Sequence, residues 1–285
     1  MKNLLHPLSR RNFLTAAGVT SATAGLNGCS LLKTKDTQLS EITRRSNEAW
    51  AFAHQIGRET QVPKFPKRDF LVTDFGAKSD GSDNSQVFAK VIATCNESGG
   101  GRVVIPKGEF LTGPIHLLSN VNLHLEQGCT LLFSTNPKDY LPAVFTRWEG
   151  MELMGYSPLV YAYQQTNIAL TGKGTLDGQA DENTWWPWKG GTQQSDKNWS
   201  KDGVPTQDAA RKKLARDVEI NRPVSERVYA EGAQLRPPFV QFYSCNICLI
   251  EDVTITRAPF WLINPVLSQH VTVRGVTCAS LGPNS

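Results

Sequence analysis

Beyond its first thirty residues, this 285-residue chain has no apolar run of about 18 residues, so no later segment is expected to span a membrane. It also lacks a clustered basic stripe. A nucleic-acid partner therefore has no electrostatic support, and none is expected. Six cysteines are present: Cys29, Cys95, Cys129, Cys245, Cys248 and Cys278. Cys245 and Cys248 have C-x-x-C spacing, but no second such pair and no histidine pair completes a zinc site. No metal and no cofactor are expected. The pair brackets a strand start, where small buried apolar side chains are common. What remains is ordinary for a folded protein: 40% hydrophobic, 20% charged and 9% aromatic residues, enough for one large core or two smaller ones.

The first thirty residues form an address. Ser9-Arg10-Arg11-Asn12-Phe13-Leu14 is a twin-arginine signature, and a weakly apolar run from Phe13 to Gly25 follows it. That run is too short, and too rich in small residues, for a transmembrane helix. Leu26-Asn27-Gly28-Cys29 resembles a bacterial lipobox, which makes Cys29 the expected lipidation site and the new N-terminus. Residues 1–29 are thus read as a twin-arginine signal. The protein is expected in the periplasm or at the cell surface, and two readings stay open there: a lipid anchor on Cys29, or an ordinary cleaved signal with an incidental cysteine. The formal net charge is +4, and Lys2, Arg10 and Arg11 contribute three of those charges, so the mature chain is close to neutral.

Residues 30–68 read as a tether and an N-terminal helix. Residues 30–40 are polar; residues 41–60 place Ile42, Ala49, Phe52 and Ile56 at helical spacing, and Pro63 and Pro66 end the pattern. Phe70 to Phe75 reads as a strand, closed by Gly76 and the Asp80-Gly81 turn. A helix over residues 85–97, capped by Asn84 or Ser85, carries Val87, Phe88, Val91, Ile92 and Cys95 on one face. Gly99-Gly100-Gly101 stops it.

From Arg102 the period changes. Strands of three to five apolar residues alternate with Gly, Asn and Pro turns: Val103-Val104-Ile105, Asn120 to Leu125, Thr166 to Leu170, Cys245 to Ile250, Gln269 to Val273. Val271 lies 24 residues after Ile247, and Ile168 lies 47 after Val121, which reads as two steps. A period in the twenties with such short strands marks a solenoid. The L-x-x-L-x-L pattern with its Asn is missing, which excludes leucine-rich repeats. A parallel β-helix over 69–285 fits, with the helix at 85–97 as an N-terminal cap over the first coil. Residues 181–234 break the rhythm. They hold Trp185, Trp186, Trp188 and Trp199 and a helix-forming stretch from Thr206 to Ile220. They read as an insertion, its tryptophans forming either a binding surface or a small satellite core.

Several of these segments resemble glycoside hydrolase family 28, the polygalacturonases and their relatives. They are Thr73-Asp74-Phe75-Gly76-Ala77, Gly99 through Gly108, Thr112-Gly113-Pro114-Ile115, Asn120-Val121-Asn122-Leu123 and Gly172-Lys173-Gly174-Thr175-Leu176-Asp177-Gly178. Arg147-Trp148-Glu149-Gly150 and Leu235-Arg236-Pro237-Pro238 are similar to the larger bacterial, often exo-acting, branch. The resemblance covers about three quarters of the chain. It implies an all-β fold, a right-handed parallel β-helix, and hydrolysis of α-linked galacturonan with inversion, the substrate being a pectic polysaccharide or oligogalacturonide.

Inversion needs a carboxylic acid and a carboxylate base roughly 6.5–9.5 Å apart across the scissile bond. The family carries them in N-x-D and D-D motifs. Here Gly282-Pro283-Asn284-Ser285 looks like the lead-in, with Asn284 as the first position of N-x-D, and no D-D, G-H-G or R-I-K motif occurs in the sequence. Residues 30–285 alone are accordingly expected to be inactive and to fold poorly, the C-terminal coils being absent from them. Asp74, Asp80, Asp83 and Asp177 sit beside turns, where such side chains bond their own backbone. Glu251 and Asp252 are neighbours on a strand and are expected on opposite faces.

For substrate binding, the resemblance places Arg236, Trp261 and Asn264 beside the cleft, with core packing the other reading of Trp261; Arg147, Trp148 and Glu149 form a polar-aromatic cluster that a loop would display, and Asn284 is a further candidate. Tyr156 and Tyr161 are expected to pack. Two further readings stay open. One is a pectate-lyase-like enzyme using Ca²⁺, which would call for an Asp/Glu cluster on one strand face. The other is a non-catalytic, glycan-binding surface β-helix. The signal yields a direct test: replacing Arg10 and Arg11 by Lys should abolish export, and Cys29→Ala should abolish labelling by a lipid precursor. Processed protein still accumulating outside the cytoplasm, or unchanged labelling, would contradict the respective reading.

Overall fold

The computed structural model describes residues 28–191 and 197–283. The chain divides into two compact units, residues 1–59 and 60–285. In the first, a single helix, α1 (Gly28–Glu59), occupies all the described residues. The stretch 30–40, expected as a tether, is therefore helical backbone. Arg44 bridges Glu41 and Glu48 one turn to either side, an arrangement that supports an exposed helix. The apolar face read from the sequence is present, and Ile42, Phe52 and Ile56 on it are exposed. Among the described residues, no helix is long and apolar enough to cross a membrane. Residues 9–14 lie outside the described residues; Cys29 falls in the first turn of α1.

The second unit is a right-handed parallel β-helix. One sheet runs in the order β1 (Asp69–Leu71), β2 (Gly101–Ile105), β5 (Val121–Leu125), β10 (Thr166–Gly172), β14 (Asn246–Glu251) and β16 (Gln269–Arg274). A second runs β3 (Gly108–Thr112), β6 (Cys129–Phe133), β11 (Thr175–Asp177), β15 (Thr254–Thr256) and β17 (Thr277–Ala279). A third comprises β4 (Ile115–His116), β9 (Val160–Tyr163) and β13 (Val240–Tyr243), extended by bridges from Val240 to Ile263 and from Tyr243 to Val266. All these pairings are parallel. A fourth, small sheet holds β7 (Val144–Trp148), β8 (Met151–Gly155) and β12 (Val228–Tyr229), with β7 and β8 antiparallel.

The alternation of each strand sends one set of side chains inward, and parallel register stacks like on like. In the first sheet Val103, Leu123, Leu170 and Ile250 lie in one row, all essentially inaccessible. In the second, Phe110, Leu131, Leu176 and Ile255 form the equivalent row. Helix α2 (Ser85–Glu97) packs Phe88, Val91, Ile92 and Cys95 into the same core and covers the first coil. Its N-terminal turn is closed by Asp83, which accepts from the Ser85 backbone, while Asn84 is buried and bonds Lys78, Ser82 and Leu111. Cys245 and Cys248 are buried in the solenoid core. Cys245 Sγ lies 3.5 Å from the Ala162 carbonyl, and its contact with Cys248, together with burial, pushes the Cys248 thiol up.

Register corrects the repeat arithmetic. Cys248 pairs with Val271, a step of 23 rather than 24. Leu123 pairs directly with Leu170, so the 47-residue interval is one coil and not two. Ile168 to Cys248 is likewise a single coil of 80 residues. The extra length leaves between the second and third sheets, as the β7–β8 hairpin in one coil and the insertion at 181–234 in the next. Phe70 to Phe75 is also shorter as a strand than expected: β1 ends at Leu71, and Val72–Phe75 tightens into a 3₁₀ turn closed by Gly76 in the left-handed region.

The corner before the first sheet is a ladder of left-handed residues: Asn120, Asn167, Ile247 and His270, with φ between 50° and 65°. Asn tolerates this conformation, and Asn167 donates to Asn120 Oδ1 at 3.0 Å. Residues 61–65 cross this ladder as a strap, with Lys64 N bonded to Asn167 Oδ1 and Gln61 N to His270 Nδ1. At the next corner Gly172 has φ +109°, and a Cβ there would sit 2.0 Å from the Leu125 carbonyl.

The tryptophans of the insertion pack rather than project. Trp185 meets Tyr140 and Trp188 edge-on, and Trp186 donates to the Ala258 carbonyl at 2.9 Å. Helix α3 (Asp208–Glu219), preceded by Gln207 rather than the expected Thr206 cap, buries Leu214 with Trp148, Leu153, Tyr229 and Leu235. Buried Asp217 accepts from Tyr229, Lys213 and Arg222. Those bonds, Tyr229's foremost, hold its carboxyl down at about 2.

The stacked rows set the stability. Leu170→Ala should cost about 2–5 kcal/mol. Leu267→Ala, at a position 66% exposed, should change stability by less than about 0.5 kcal/mol. Urea unfolding midpoints measure both, and equal effects would contradict the row as the source of stability.

Candidate active-site cleft

The outward side chains of the third sheet make a second row: His116, Tyr161 and Gln241, in register, followed by Asn264 on the segment bridged to β13. The β7–β8 hairpin lies over this row. Tyr161 donates its hydroxyl to the Phe145 carbonyl, Thr146 Oγ1 donates to Gln241 Oε1 at 2.6 Å, and Gln241 Nε2 donates to the Arg147 carbonyl at 3.2 Å. Tyr161 and Gln241 are buried as a result. The hairpin turns at Glu149 and Gly150, both at positive φ, as a two-residue connection requires. Beyond the turn the row is uncovered, and Asn264 forms the floor of a cavity of about 310 Å³ lined also by Arg147, Gly150, Trp261 and Leu267.

Not all the residues expected to bind substrate reach this cavity. Arg147, Trp261 and Asn264 do. Arg236 does not: it is fully buried, with Nη1 donating to the carbonyls of Pro259 at 2.8 Å and Pro283 at 3.0 Å, and Nε to Gln207 Oε1 at 3.4 Å. Its guanidinium lies 5.0 Å from the Phe260 ring centre, and burial lowers its pKa to about 9, so it stays a cation at neutral pH. These bonds hold Arg236 in the interior, whereas a position beside the cleft was expected. Trp148 is also buried, stacked on Phe260 at 5.5 Å, with Trp261 stacked on the same ring at 4.7 Å. Glu149 is held by Arg211 of α3 at 2.8 Å. Asn284 lies outside the described residues.

Phe260, Gln241, Arg211 and Gln207 were not singled out in the sequence. Gln241 could have been, as the polar member of the otherwise apolar Val240–Tyr243 strand. Arg211 could not, because only the fold brings α3 to the hairpin. Tyr156 and Tyr161 pack, as expected.

A larger concavity, about 800 Å³, lies on the outer face of the first sheet, with Arg102, His124, Thr171, Glu251, Asp252 and Arg274 in its lining. Glu251 and Asp252 thus border the same space, against the expectation of opposite faces. The strand ends at Glu251, and Asp252 turns at φ +62°. Both arginines here are paired, Arg102 with Asp69 and Arg274 with Glu251, and His124 is bonded to Thr171 with its pKa lowered by burial. Asp177 is likewise paired with Arg257. The cavity at Asn264 differs in having a buried amide donor, Asn264 Nδ2, without a hydrogen-bond partner.

Arg236 therefore acts on stability. Arg236→Met leaves two buried carbonyls unpaired, at about 1–3 kcal/mol each, and should lower the urea midpoint clearly. Unchanged stability with lost saccharide binding would instead restore the substrate-contact reading.

No protein-family model matches the chain. In sequence it is 28% identical over 249 residues to the exo-poly-alpha-D-galacturonosidase of Dickeya chrysanthemi, spanning 79% of this chain and 38% of that protein. It is 26% identical over 243 residues to an endo-polygalacturonase of Pectobacterium carotovorum subsp. carotovorum, over 79% of this chain and 54% of that one. Among solved structures, the hyperthermoactive exopolygalacturonase of Thermotoga maritima matches with a TM-score of 0.77 and 45% identity, over 81% of this chain and 51% of that one. The family 28 exopolygalacturonase of Yersinia enterocolitica, at 21% identity and a TM-score of 0.53, shares the fold, over 75% of this chain and 39% of its own. The chain spans about half the length of these relatives, or less. In sequence and in fold, it is a relative of the polygalacturonases of glycoside hydrolase family 28, built on the pectin lyase-like β-helix.

Proposed function

We propose that the protein hydrolyses α-linked galacturonan from a chain end, with inversion, as an exported and lipid-anchored enzyme acting on plant cell-wall pectin. The observation that carries the chain-end reading is the hairpin over the third sheet. An endo-acting groove must let the polymer run past the reacting bond in both directions. Here Thr146, Arg147 and Phe145 bond the floor side chains of two successive coils; His116 on one side of this wall is exposed, and on the other side the floor opens at Asn264. Arg211 ties the hairpin turn to α3, which makes the obstruction a braced wall rather than a swinging loop. The likeness to the exo-acting relatives of Dickeya and Thermotoga supports the same reading.

In this reading the described residues build the blind end. Trp261 offers an aromatic edge for a sugar face, Asn264 an amide, and Arg147 a cation. The acid and base of an inverting hydrolysis are carboxylates. The cavity lining contains none, and by resemblance the pair follows Asn284 in the N-x-D and D-D segments. Export rests on the ordered signal at 9–29, and anchoring on Cys29.

The test is product analysis on polygalacturonate, using protein extended through those segments. Mono- or digalacturonate should appear from the earliest time points while viscosity falls slowly. A ladder of oligomers with rapid loss of viscosity would overturn chain-end action. Retention on polygalacturonate without reducing-sugar release would favour a non-catalytic glycan-binding protein.

A further inference from the structure

We propose that Arg147 is the specificity-determining residue of the blind end, binding the carboxylate of the terminal uronate ring; this rests on the chain-end reading above. In the β7–β8 ladder Arg147 stands opposite Glu152, the natural partner for its charge. The two make no ion pair; Glu152 Oε1 instead accepts the Tyr243 hydroxyl at 2.6 Å. The other acid of the hairpin, Glu149, is held by Arg211. Arg147 Nε donates to the Gly150 carbonyl at 2.9 Å, and no carboxylate lies within salt-bridge distance of Arg147 among the described residues. The bond to Gly150 holds the guanidinium at the hairpin turn and leaves both terminal nitrogens for a ligand. Such a fork matches a carboxylate with two parallel bonds.

The surroundings select the same ligand. Arg147 is the single charged residue in the lining of the cavity, so the walls themselves offer a ligand no competing charge. Asn264 Nδ2 is buried at the floor with no hydrogen-bond partner, a donor without an acceptor. Trp261, half-buried and stacked on Phe260, is a fixed apolar edge beside it. At about 310 Å³ the cavity is at the small end of ligand sites, which run from about 300 to 1,000 Å³ and suits one ring rather than a run of them. A neutral terminal sugar would leave the half-buried guanidinium without its anion. A site built around a charged hydrogen bond discriminates strongly against a ligand that lacks it.

The experiment compares trigalacturonate with the same trisaccharide reduced at its terminal carboxyl to the alcohol, using the extended enzyme and Arg147→Gln and Arg147→Lys variants. For unchanged enzyme, kcat/KM should be about 10- to 100-fold higher on the acid than on the alcohol, the range expected of a hydrogen bond to a charged group. Arg147→Gln should raise KM for the acid by a similar factor, with kcat altered less than about threefold, and should leave the alcohol unaffected. Arg147→Lys should retain part of the discrimination. Thermal unfolding of the variants, expected to match the unchanged enzyme, separates binding from folding. An active enzyme whose Arg147→Gln variant keeps full discrimination, or loses both substrates equally, overturns this assignment alone. An unchanged enzyme that neither binds nor cleaves trigalacturonate overturns the functional reading, and this assignment falls with it.

Discussion

Everything in the second unit depends on coil-to-coil stacking in parallel register. A single coil of this chain presents three short strands, each with an apolar inner side and nothing to bury it against. Val103 is covered because Leu123 sits beneath it, Leu123 because of Leu170, and Leu170 because of Ile250. Backbone hydrogen bonds between coils set that register, and the left-handed corner residues keep each coil returning to the same place. Solenoid energetics of this kind are local to neighbours. The segments between strands are therefore free in length, provided the strand that follows lands in register. One coil step here takes 20 residues and another takes 80, and the inner rows are undisturbed.

That freedom is used in one place. The two long excursions, the β7–β8 hairpin and the insertion with α3, both leave between the second and third sheets, and both close over the third. They are locked together by apolar packing of Trp148, Leu214, Tyr229 and Phe260 and by the Arg211–Glu149 pair. The consequence is a floor that is sealed under the hairpin and open at Asn264. Two arginines show how the same residue type is divided between scaffold and surface. Arg236 spends donors on oxygens of Gln207, Pro259 and Pro283 and takes the desolvation that full burial imposes. Arg147 bonds the Gly150 carbonyl, while the acids of the hairpin bond Tyr243 and Arg211 instead.

By itself the sequence determined the solenoid, the strands of its first sheet from Val103 onward, the cap at 85–97 and the likeness to family 28. These follow from short-range chemistry: period-two apolar alternation, glycine and asparagine at corners, and a 3.6-residue apolar stripe. It also marked the segments holding Arg147, Trp261 and Asn264. Tertiary structure decided which strands are neighbours, which is why 47 residues proved to be one coil and why Cys248 meets Val271 rather than a residue one place later. It decided that Arg236 and Trp148 face inward, and that Glu251 and Asp252 border one space. The reason is that burial and direction are set by what arrives on the far side of a residue, and in a solenoid that partner comes from 20 to 80 positions away, across loops whose length carries no periodic signal.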